Sequence, residues 1–433
     1  MLKRSKPTPC NTLYTFYFTH FPLYKLYELY KLTIMKILVL NCGSSSIKYK
    51  LFDMAENAVL AQGGIEKIGL PDSFLKLTLP NGEKVVLEKS IPEHTVGIEF
   101  IFEQLTSAKY GCLRSLDEID AVGHRVVHGG ERFSQSALIT PEVLEQIKIC
   151  ADLAPLHNPA NIKGIDAISK ILPKAPQVAV FDTSFHQTMP DYAYMYALPY
   201  EYYEKYGVRR YGFHGTSHRY VSRRACEFLG LDYEKTKIIT AHIGGGGSIT
   251  AIRNGKSVDT SMGLTPVEGL MMGTRSGDVD LGAVVYLMQK EGLDAAKLSE
   301  LVNKKSGVKG ISGVSSDMRD IEKAISEGNP RAKLAMEMFN YRILKYIGSY
   351  AAALNGFDVL VFTGGVGENQ AGTRQYVADG LKYLGVEIDS NLNAHSRGEE
   401  IELSTPQSKV RVVVIPTDEE LMIAQDTLNL VRN

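Results

Sequence analysis

The sequence predicts an α/β protein made of a duplicated domain, and two observations support this fold class. One pattern runs over residues 37–53 (ILVLNCGSSSIKYKLFD) and returns over residues 238–259 (IITAHIGGGGSITAIRNGKSVD). Each copy is an apolar run, a turn of small residues and a second run, which predicts two strands joined by a tight hairpin. After Met35, strand-like and helix-like segments alternate to the end of the chain, as is typical of α/β proteins.

The other elements follow from apolar spacing and from the residues at their ends. Strands are expected over 35–70, ending near a turn at Gly63-Gly64, and over 119–127, 177–181, 359–363 and 410–415. Helices are expected over 95–105, 141–150, 218–229, 331–354 and 418–430. No low-complexity linker divides the chain, so a domain boundary near 183–190 depends on the repeat alone.

Size and composition narrow the class of protein. The chain has 433 residues, 44% hydrophobic and 22% charged, which predicts a soluble protein of two or three domains. Its net charge of -1 argues against a dedicated nucleic-acid binder, because no overall basic excess offsets phosphates. The five cysteines lie far apart without a CxxC pair, which gives no zinc pattern and suits a reducing cytosol. We therefore expect a cytoplasmic protein.

Residues 1–34 differ from the rest of the chain because they are basic and crowded with Tyr and Phe. They lack the continuous apolar stretch of a membrane span and the core and cleavage site of a signal peptide. We expect this extension to lie outside the fold, translated from a misplaced start, with Met35 as the true first residue. A peripheral membrane helix or a partner-binding helix is the alternative.

The two turns of small residues predict phosphate binding. Glycine and serine leave backbone amides bare and permit close approach, and bare amides in a concave turn bind anions. In the first hairpin, Asn41, Ser44, Ser46 and Lys48 stand where a phosphate and its Mg²⁺ would lie. An ordinary polar hairpin is the alternative for that segment alone. Neither a Walker A loop nor a Rossmann glycine spacing is present. The two hairpins together suggest a duplicated domain that closes on one polyphosphate.

Charged residues follow several predicted strands. Arg125 stands near a strand end, Asp182 follows the strand 177–181, and His214 and Arg275 occupy glycine-containing loops. Each alone could be a surface ion pair or a buried histidine with its partners satisfied. Together with two phosphate turns they match phosphoryl transfer, which needs charge neutralisation and alignment more than covalent help. A metalloenzyme is the alternative for the histidines, but no HExxH or similar spacing occurs.

A third glycine-rich segment, 362–369 (FTGGVGEN), predicts a strand followed by a glycine turn. Glycines there let the backbone lie against a flat ring, which suits an adenine or ribose site. The bare pattern is weak, but it gains weight as the third element after two phosphate turns.

From Met35 onward the chain resembles the acetate kinase family, within the superfamily of actin, sugar kinases and Hsp70 ATPases. The motifs that carry this resemblance cover nearly all of the chain past residue 34: NCGSSSIKYKLFD, GHRVVHGGE, LAPLHNPAN, FDTSFHQTMP, YGFHGTSH, SMGLTPVEGLMMGTRSGDVD, FTGGVGEN and IPTDEELMIA. The resemblance implies two actin-like (ribonuclease H-like) ATPase domains with a nucleotide cleft between them. The first would comprise residues 35–184 plus 418–433, and the second, nucleotide-binding domain residues 185–417.

The resemblance also implies roles for individual residues. Asn41 and Glu419 would hold Mg²⁺, or Mn²⁺ as a substitute, and Arg125 would bind the acetate carboxylate. Asp182, His214 and Arg275 would be the catalytic residues. The pocket for the acetate methyl would contain Val127, Leu156, Phe213 and Pro266. The ATP contacts would be Lys48, His242, Ile243, Gly244, Gly245, Gly246, Asp317, Met318, Arg319, Gly365, Val366, Gly367, Glu368 and Asn369.

By this resemblance the reaction is reversible phosphoryl transfer from ATP to acetate, giving acetyl phosphate and ADP, in a cytoplasmic homodimer that serves acetyl-CoA biosynthesis without nucleic-acid or membrane partners. One departure is Gly245, where the family commonly has Asn, so nucleotide affinity or donor choice could differ. The nearest alternative is a propionate or butyrate kinase. An actin- or Hsp70-like ATPase and a catalytically dead scaffold are more distant ones.

Overall fold

The protein, seen here as a computed structural model, contains two β-sheets with helices on both faces. The structure describes residues 35–79 and 81–432, so the expectations for residues 1–34 lie outside the described residues. The strands are β1 Lys36–Cys42, β2 Ser46–Asp53, β3 Ala58–Glu66, β4 Phe74–Thr78, β5 Lys84–Glu88, β6 Ala121–Val126, β7 Ala137–Leu138, β8 Gln177–Phe181, β9 Lys237–Ile243, β10 Gly247–Arg253, β11 Lys256–Thr260, β12 Val359–Thr363, β13 Ile401–Glu402 and β14 Arg411–Val414. The α-helices are α1 His94–Leu105, α2 Pro141–Ile149, α3 Asn158–Ile171, α4 Asp191–Tyr194, α5 Glu201–Tyr206, α6 Gly215–Leu229, α7 Leu281–Glu291, α8 Ala295–Glu300, α9 Gly307–Ser312, α10 Met318–Ser326, α11 Pro330–Leu354, α12 Gly364–Asn369, α13 Ala371–Gly380, α14 Ser390–His395 and α15 Glu419–Arg432.

The two sheets repeat one topology. Their strand orders are β5-β4-β3-β2-β1-β6-β8-β7 and β11-β10-β9-β12-β14-β13. In each, the first strand of the repeat pairs antiparallel with its hairpin partner and parallel with a later strand: β1 with β2 and β6, β9 with β10 and β12. A short antiparallel strand then covers the last parallel strand, β7 on β8 and β13 on β14. The α/β fold class with a duplicated domain is therefore confirmed.

The first sheet is buried on both faces because successive side chains of a strand point in opposite directions. In β1, Ile37 and Val39 pack with Ile423 of α15, whereas Leu38 and Leu40 pack on the side of α1 and α3. Helix α15 approaches closely at Gly123 of β6, where a Cβ would lie 2.5 Å from Thr427 Oγ1. The last helix of the chain thus completes the core around the first strand.

The second sheet has the same layering. Ile238 of β9 packs with Val221 and Ala225 of α6, whereas Ile239 belongs to the core that includes Phe339 of α11. Helices α6 and α15 contact each other, with an ion pair between Arg219 and Asp426. These two helices therefore form a shared layer between the sheets.

Two details of the expected secondary structure are wrong. Gly63 and Gly64 lie inside β3, paired with Tyr49 and Lys48 of β2, and form no turn. The physical reason is close strand approach, since a Cβ on Gly63 would lie 2.5 Å from the Lys76 carbonyl oxygen. The expected glycine turn after β12 is instead the short helix α12, entered through Gly364 at a φ of 76°.

The other helices and strands that were predicted from the sequence agree with the structure to within a few residues. Helix α6, for example, begins three residues before the expected position 218. Along residues 35–79 and 81–432, no helix has the length and apolar character needed to cross a membrane.

Candidate active site

The centre of the site is an ion pair at adjacent strand ends. Arg125 lies near the end of β6 and Asp182 follows β8, and these parallel strands are neighbours. Arg125 Nε donates to Asp182 Oδ1 at 2.9 Å and Nη2 donates to Oδ2 at 2.6 Å. Its Nη1 reaches Asn41 Oδ1 at 3.4 Å, at the end of β1. Strand order thus brings together three of the residues predicted from sequence.

A second carboxyl group stands beside this pair. Glu419 is the first residue of α15, and its Oε1 is fully buried without a hydrogen-bond partner. Burial raises the pKa of Glu419 to about 7; the charge of Arg125 opposes this rise and the charge of Asp182 adds to it. An enclosed carboxylate oxygen with no donor suits a cation.

His214 lies at the cap position of α6, with a φ of 55°. This left-handed conformation is costly for a residue other than glycine and is often found at functional sites. Its ring stacks on that of His242 at 4.3 Å between centroids. Burial, with the charges of Arg125 and Arg275, lowers the pKa of His214 to about 3, so its ring is neutral at pH 7.

Arg275 converges on His214 at the second small-residue turn. A Cβ on Gly246 would lie 3.4 Å from both Arg275 Nη1 and His214 Nε2. The Arg275 guanidinium contacts the Met272 sulfur at 3.9 Å. Among the described residues, no carboxylate forms an ion pair with this guanidinium. Burial lowers the pKa of Arg275. The bare turn, a guanidinium and a neutral imidazole therefore surround one point suited to an anion.

A small apolar cluster borders Arg275, whose Nη1 lies 3.9 Å from the Met272 sulfur. It contains the expected Val127 and Phe213 together with Met262 and Met272, which sequence reasoning missed. The two remaining expected pocket residues lie outside this cluster. Leu156 is 67% exposed, and Pro266 is half-buried.

The LAPLHNPAN motif contributes more than the expected Leu156. Asn161 Oδ1 accepts from the Val127 N–H at 3.1 Å, and its Nδ2 donates to the Cys42 carbonyl at 2.8 Å. Asn158 similarly holds both backbone groups of His128. Arg275 and Arg125 also lower the pKa of His157, after burial itself. The motif thus fixes the loop that follows Arg125. In the sequence, its two Asn residues were the only indication of this role.

A cavity of about 660 Å³ lies beside the second turn and α12. Eight of its lining residues are expected ATP contacts: Gly244, Gly245, Asp317, Met318, Arg319, Gly365, Val366 and Asn369. Ser316, Glu322 and Gln370 line it as well and were not predicted. No atom lies within 4 Å of the place where a Cβ of Gly245 would stand, so an added side chain would enter open space.

The other expected ATP contacts lie outside this cavity. Lys48 is exposed on β2 and lines a separate groove of about 390 Å³ with three further lysines, Lys50, Lys76 and Lys84. Gly246 lies at the Arg275 end of the turn, while His242, Ile243 and Gly367 are buried.

Glu368 is used by the protein itself. Its Oε1 accepts from the Gly364 N–H at 2.8 Å, the Thr363 hydroxyl at 3.3 Å and the Thr417 N–H at 3.2 Å. Its carboxylate therefore ties α12 to the segment before α15.

A duplicated α/β fold, with a small-residue turn on each side of an arginine, aspartate and histidine centre, defines a phosphotransferase of the actin-like ATPase class. The family model described as the Acetokinase family matches residues 36–425. The chain belongs to that family.

Individual relatives agree with this assignment. The acetate kinase of Phocaeicola vulgatus is 70% identical over 394 residues, which covers 91% of this chain and 99% of that protein. The crystal structure of Porphyromonas gingivalis acetate kinase superposes with a TM-score of 0.90 at 65% identity, covering 92% of this chain and 100% of that one. A propionate kinase from Francisella tularensis superposes with a TM-score of 0.85 at 44% identity, with the same coverage.

Proposed function

We propose that this protein transfers the γ-phosphoryl group of ATP reversibly to acetate, giving acetyl phosphate and ADP by direct in-line displacement. The observation that carries the proposal is the convergence of Arg275, His214 and Gly246 on one point beside the Arg125–Asp182 pair. Phosphoryl transfer requires such a concentration of donors and positive charge around the transferring group.

Arg125 orients the acceptor in this mechanism. Its Nε and Nη2 are held by Asp182, and Nη1 reaches Asn41 with one of its two hydrogens, so the other would donate to an acetate oxygen. A carboxylate is already deprotonated at pH 7, so the attacking oxygen needs no strong general base. Asp182 therefore acts by fixing the plane of the guanidinium.

His214 and Arg275 would stabilise charge on the equatorial oxygens of the transferring group. The lowered pKa of His214 keeps its ring neutral, so it contributes a hydrogen-bond donor instead of a positive charge. Arg275, without a described carboxylate partner, is free to pair with the phosphoryl oxygens.

The residues at the first turn fit a divalent ion. Glu419 offers a buried carboxylate oxygen without a partner, and Asn41 an amide oxygen. Mg²⁺ commonly takes one or two protein oxygens and completes its octahedron with water and phosphate. Across residues 35–79 and 81–432, no three His, Cys, Asp or Glu side chains form a metal cage. Bound Mg²⁺, or Mn²⁺ in its place, would neutralise charge on the ATP phosphates.

The apolar cluster sets the choice of acid. Val127, Phe213, Met262 and Met272 would offer the methyl group of acetate an apolar surface. One extra methylene changes discrimination by only about 1–3 kcal/mol, so propionate should be a poorer but real substrate. Leu156 and Pro266 would join the pocket on closure of the cleft.

The cavity next to Gly245 would hold the adenosine of ATP, with Gly365 and Val366 beneath it and Lys48 facing the phosphates from β2. We assign residues 35–184 plus 418–433 to one domain and 185–417 to the other. The packing of α15 on the first sheet supports the inclusion of the C-terminal segment in the first domain. Closure between them would exclude water from the transferring group.

We also infer a cytoplasmic homodimer that pairs through α7. None of the eleven residues of this helix is buried, and it exposes Leu281, Val285, Tyr286 and Leu287 by 75%, 52%, 58% and 40%. Exposed apolar side chains grouped on one helix are typical of a protein interface. Tyr286→Glu should give a monomer in sedimentation, and a dimer that survives this change would place the interface elsewhere.

A hydroxylamine trap for acyl phosphate tests the reaction. Purified protein receives Mg²⁺-ATP with acetate, propionate, butyrate or no acid. Hydroxamate should form fastest with acetate. ADP release without hydroxamate from any acid would contradict the proposal and favour an ATPase.

A further inference from the structure

A chain of hydrogen bonds connects the nucleotide side of the site to its histidines. Glu368 of α12 accepts from the Thr417 N–H at 3.2 Å, and the Thr417 hydroxyl lies 2.8 Å from Ser217 Oγ. Ser217 Oγ in turn lies 2.8 Å from His242 Nδ1. The His242 ring stacks on His214. Every step is within ordinary contact distance, and each joins two different elements of the fold.

Thr417 occupies the junction of this chain. It lies in the segment that carries the backbone from β14 in the second sheet to α15 on the first sheet, two residues before Glu419. Its N–H contacts the nucleotide helix α12, while its hydroxyl contacts α6. A shift of α12 would therefore move a residue linked both to the histidine pair and to the start of α15.

Ser217 is fully buried, and within the part of the chain that the structure describes its hydroxyl contacts the side chains of Thr417 and His242 and no backbone group. The hydroxyl of the nearby Ser222, by contrast, donates to the Arg219 carbonyl. The burial of a hydroxyl such as that of Ser217 is favourable only when it has a partner. His242 has a pKa far below its usual value because of burial, so its neutral ring holds one proton and accepts at the other nitrogen. The Ser217 hydroxyl is therefore held between the Thr417 hydroxyl and the His242 ring.

We propose that Ser217 and Thr417 are positioning residues that transmit occupancy of the α12 cavity to His242 and His214. The inference rests on the proposed function for the roles of that cavity and of His214. Nucleotide binding would tighten the link from α12 to Thr417, and the hydroxyl pair would hold the stacked imidazoles in the geometry that the transferring group requires.

The test compares Thr417→Val, Ser217→Ala and their combination with the matched control Thr427→Val. Thr427 is fully buried, like Ser217, and its hydroxyl donates to the Ile423 carbonyl one turn back in α15. Thr417→Val keeps the backbone contact to Glu368 and removes only the hydroxyl. We expect kcat to fall about tenfold in each single variant, as is common for residues that orient a reacting group. The KM for ATP should change by less than about twofold.

Two further readouts separate positioning from simple structural damage. The double variant should lose no more than Ser217→Ala alone, because that substitution already removes the contact with Thr417. Thr417→Ser should recover the lost rate. Wild-type kcat in Thr417→Val, additive losses, or an equal loss in Thr427→Val would each overturn the inference.

A measurement without any acyl acceptor keeps the inference independent of the reaction. In wild-type protein labelled at histidine, Mg²⁺-ADP should shift the ring ¹⁵N signals of His242, and Thr417→Val should abolish that shift at unchanged Tm. If the hydroxamate assay failed but this response appeared, the proposed acceptor would be wrong and the coupling would stand. If Thr417→Val retained the full response, the coupling would be wrong whatever the reaction.

Discussion

The two small-residue turns of the repeat have the same position in their sheets but different surroundings. Each joins two antiparallel strands through three residues, 43–45 in the first and 244–246 in the second. The first is closed by the Gly43 N–H to the Ser46 carbonyl at 2.8 Å, and the second by the Gly244 N–H to the Gly246 carbonyl at 2.7 Å. The first carries serine side chains and adjoins carboxylates, whereas the second is bare glycine beside Arg275 and His214.

This difference implies a division of labour within one duplicated fold. Side-chain oxygens and Glu419 make the first turn the better place for a cation. Backbone amides and an unpaired guanidinium make the second turn the better place for phosphoryl oxygens. Duplication supplied two similar hairpins, and the neighbouring residues would then determine their different uses.

Arg275→Ala should have the largest effect, because it removes the guanidinium at the second turn. An arginine that stabilises a transferring phosphoryl group contributes about 10³–10⁵ in kcat. Steady-state kinetics with acetate and ATP measure the loss, with Arg342→Ala, which contacts Asp278 instead, as the control. A loss below about tenfold would contradict the assigned role.

Gly246 and Gly245 should respond differently to the same methyl group. Gly246→Ala places a Cβ 3.4 Å from both Arg275 and His214, where phosphoryl oxygens would lie, so kcat/KM for ATP should fall by about 10². Gly245→Ala projects into open space and should change kcat/KM by less than about threefold. Equal losses in the two variants would show that the turn matters for stability alone. Gly245→Asn would then test donor affinity directly.

Asn41→Ala should act mainly through the metal, as expected for the first turn. We predict that the Mg²⁺ concentration for half-maximal rate rises about 10- to 100-fold, with a smaller change in the rate at saturating Mg²⁺. Ser45→Ala, an exposed residue of the same turn, serves as the control. An unchanged Mg²⁺ titration in Asn41→Ala would place the ion elsewhere.

Acid should destabilise both halves of the protein, because it favours protonation of histidines that are buried in the folded state. The effect of each histidine should be smaller than the effects predicted above. Burial lowers the pKa of His124, His128 and His186 to about 4, below the ordinary 6.5. A histidine with a lowered folded-state pKa gives stability that is present above pH 6.5 and is lost as pH falls toward 4. Each should cost about 1 kcal/mol of unfolding free energy between pH 7.5 and 5.5. Urea unfolding measures this loss.

His124→Gln should reduce the pH dependence of that unfolding free energy, whereas His395→Gln, at an exposed position, should leave it unchanged. Identical slopes in wild type and His124→Gln would contradict the assignment.

Parts of the fold followed from the sequence because local patterns determine them. The strands Gln177–Phe181 and Val359–Thr363 each contain an unbroken run of four apolar residues, and the two hairpins have clear turns of small residues. The turn predicted at Gly63-Gly64 is wrong because glycine is common both in turns and where two strands approach closely. Only the position of the opposing strand distinguishes these two cases.

The site was partly predictable for the same reason. Strand ends place Arg125, Asp182 and Asn41 together once the sheet order is known. Met262 and Met272 could not be assigned, because their contact with Val127 depends on packing between loops distant in sequence. The orientation of Glu368 toward Thr417 likewise depends on how the two halves of the chain meet.

The position of α15 has a consequence for how the chain folds as it is made. Ile37, Val39 and Val180 on one face of the first sheet share a core with Ile423 and Ala424, almost at the end of the sequence. The ribosome delivers those last residues only after the whole second sheet has emerged. The N-terminal half must therefore wait with an uncovered apolar surface, and long-range closure of this kind slows folding and exposes intermediates to aggregation. Removal of α15 should therefore destabilise the first sheet, the half of the protein that is made first.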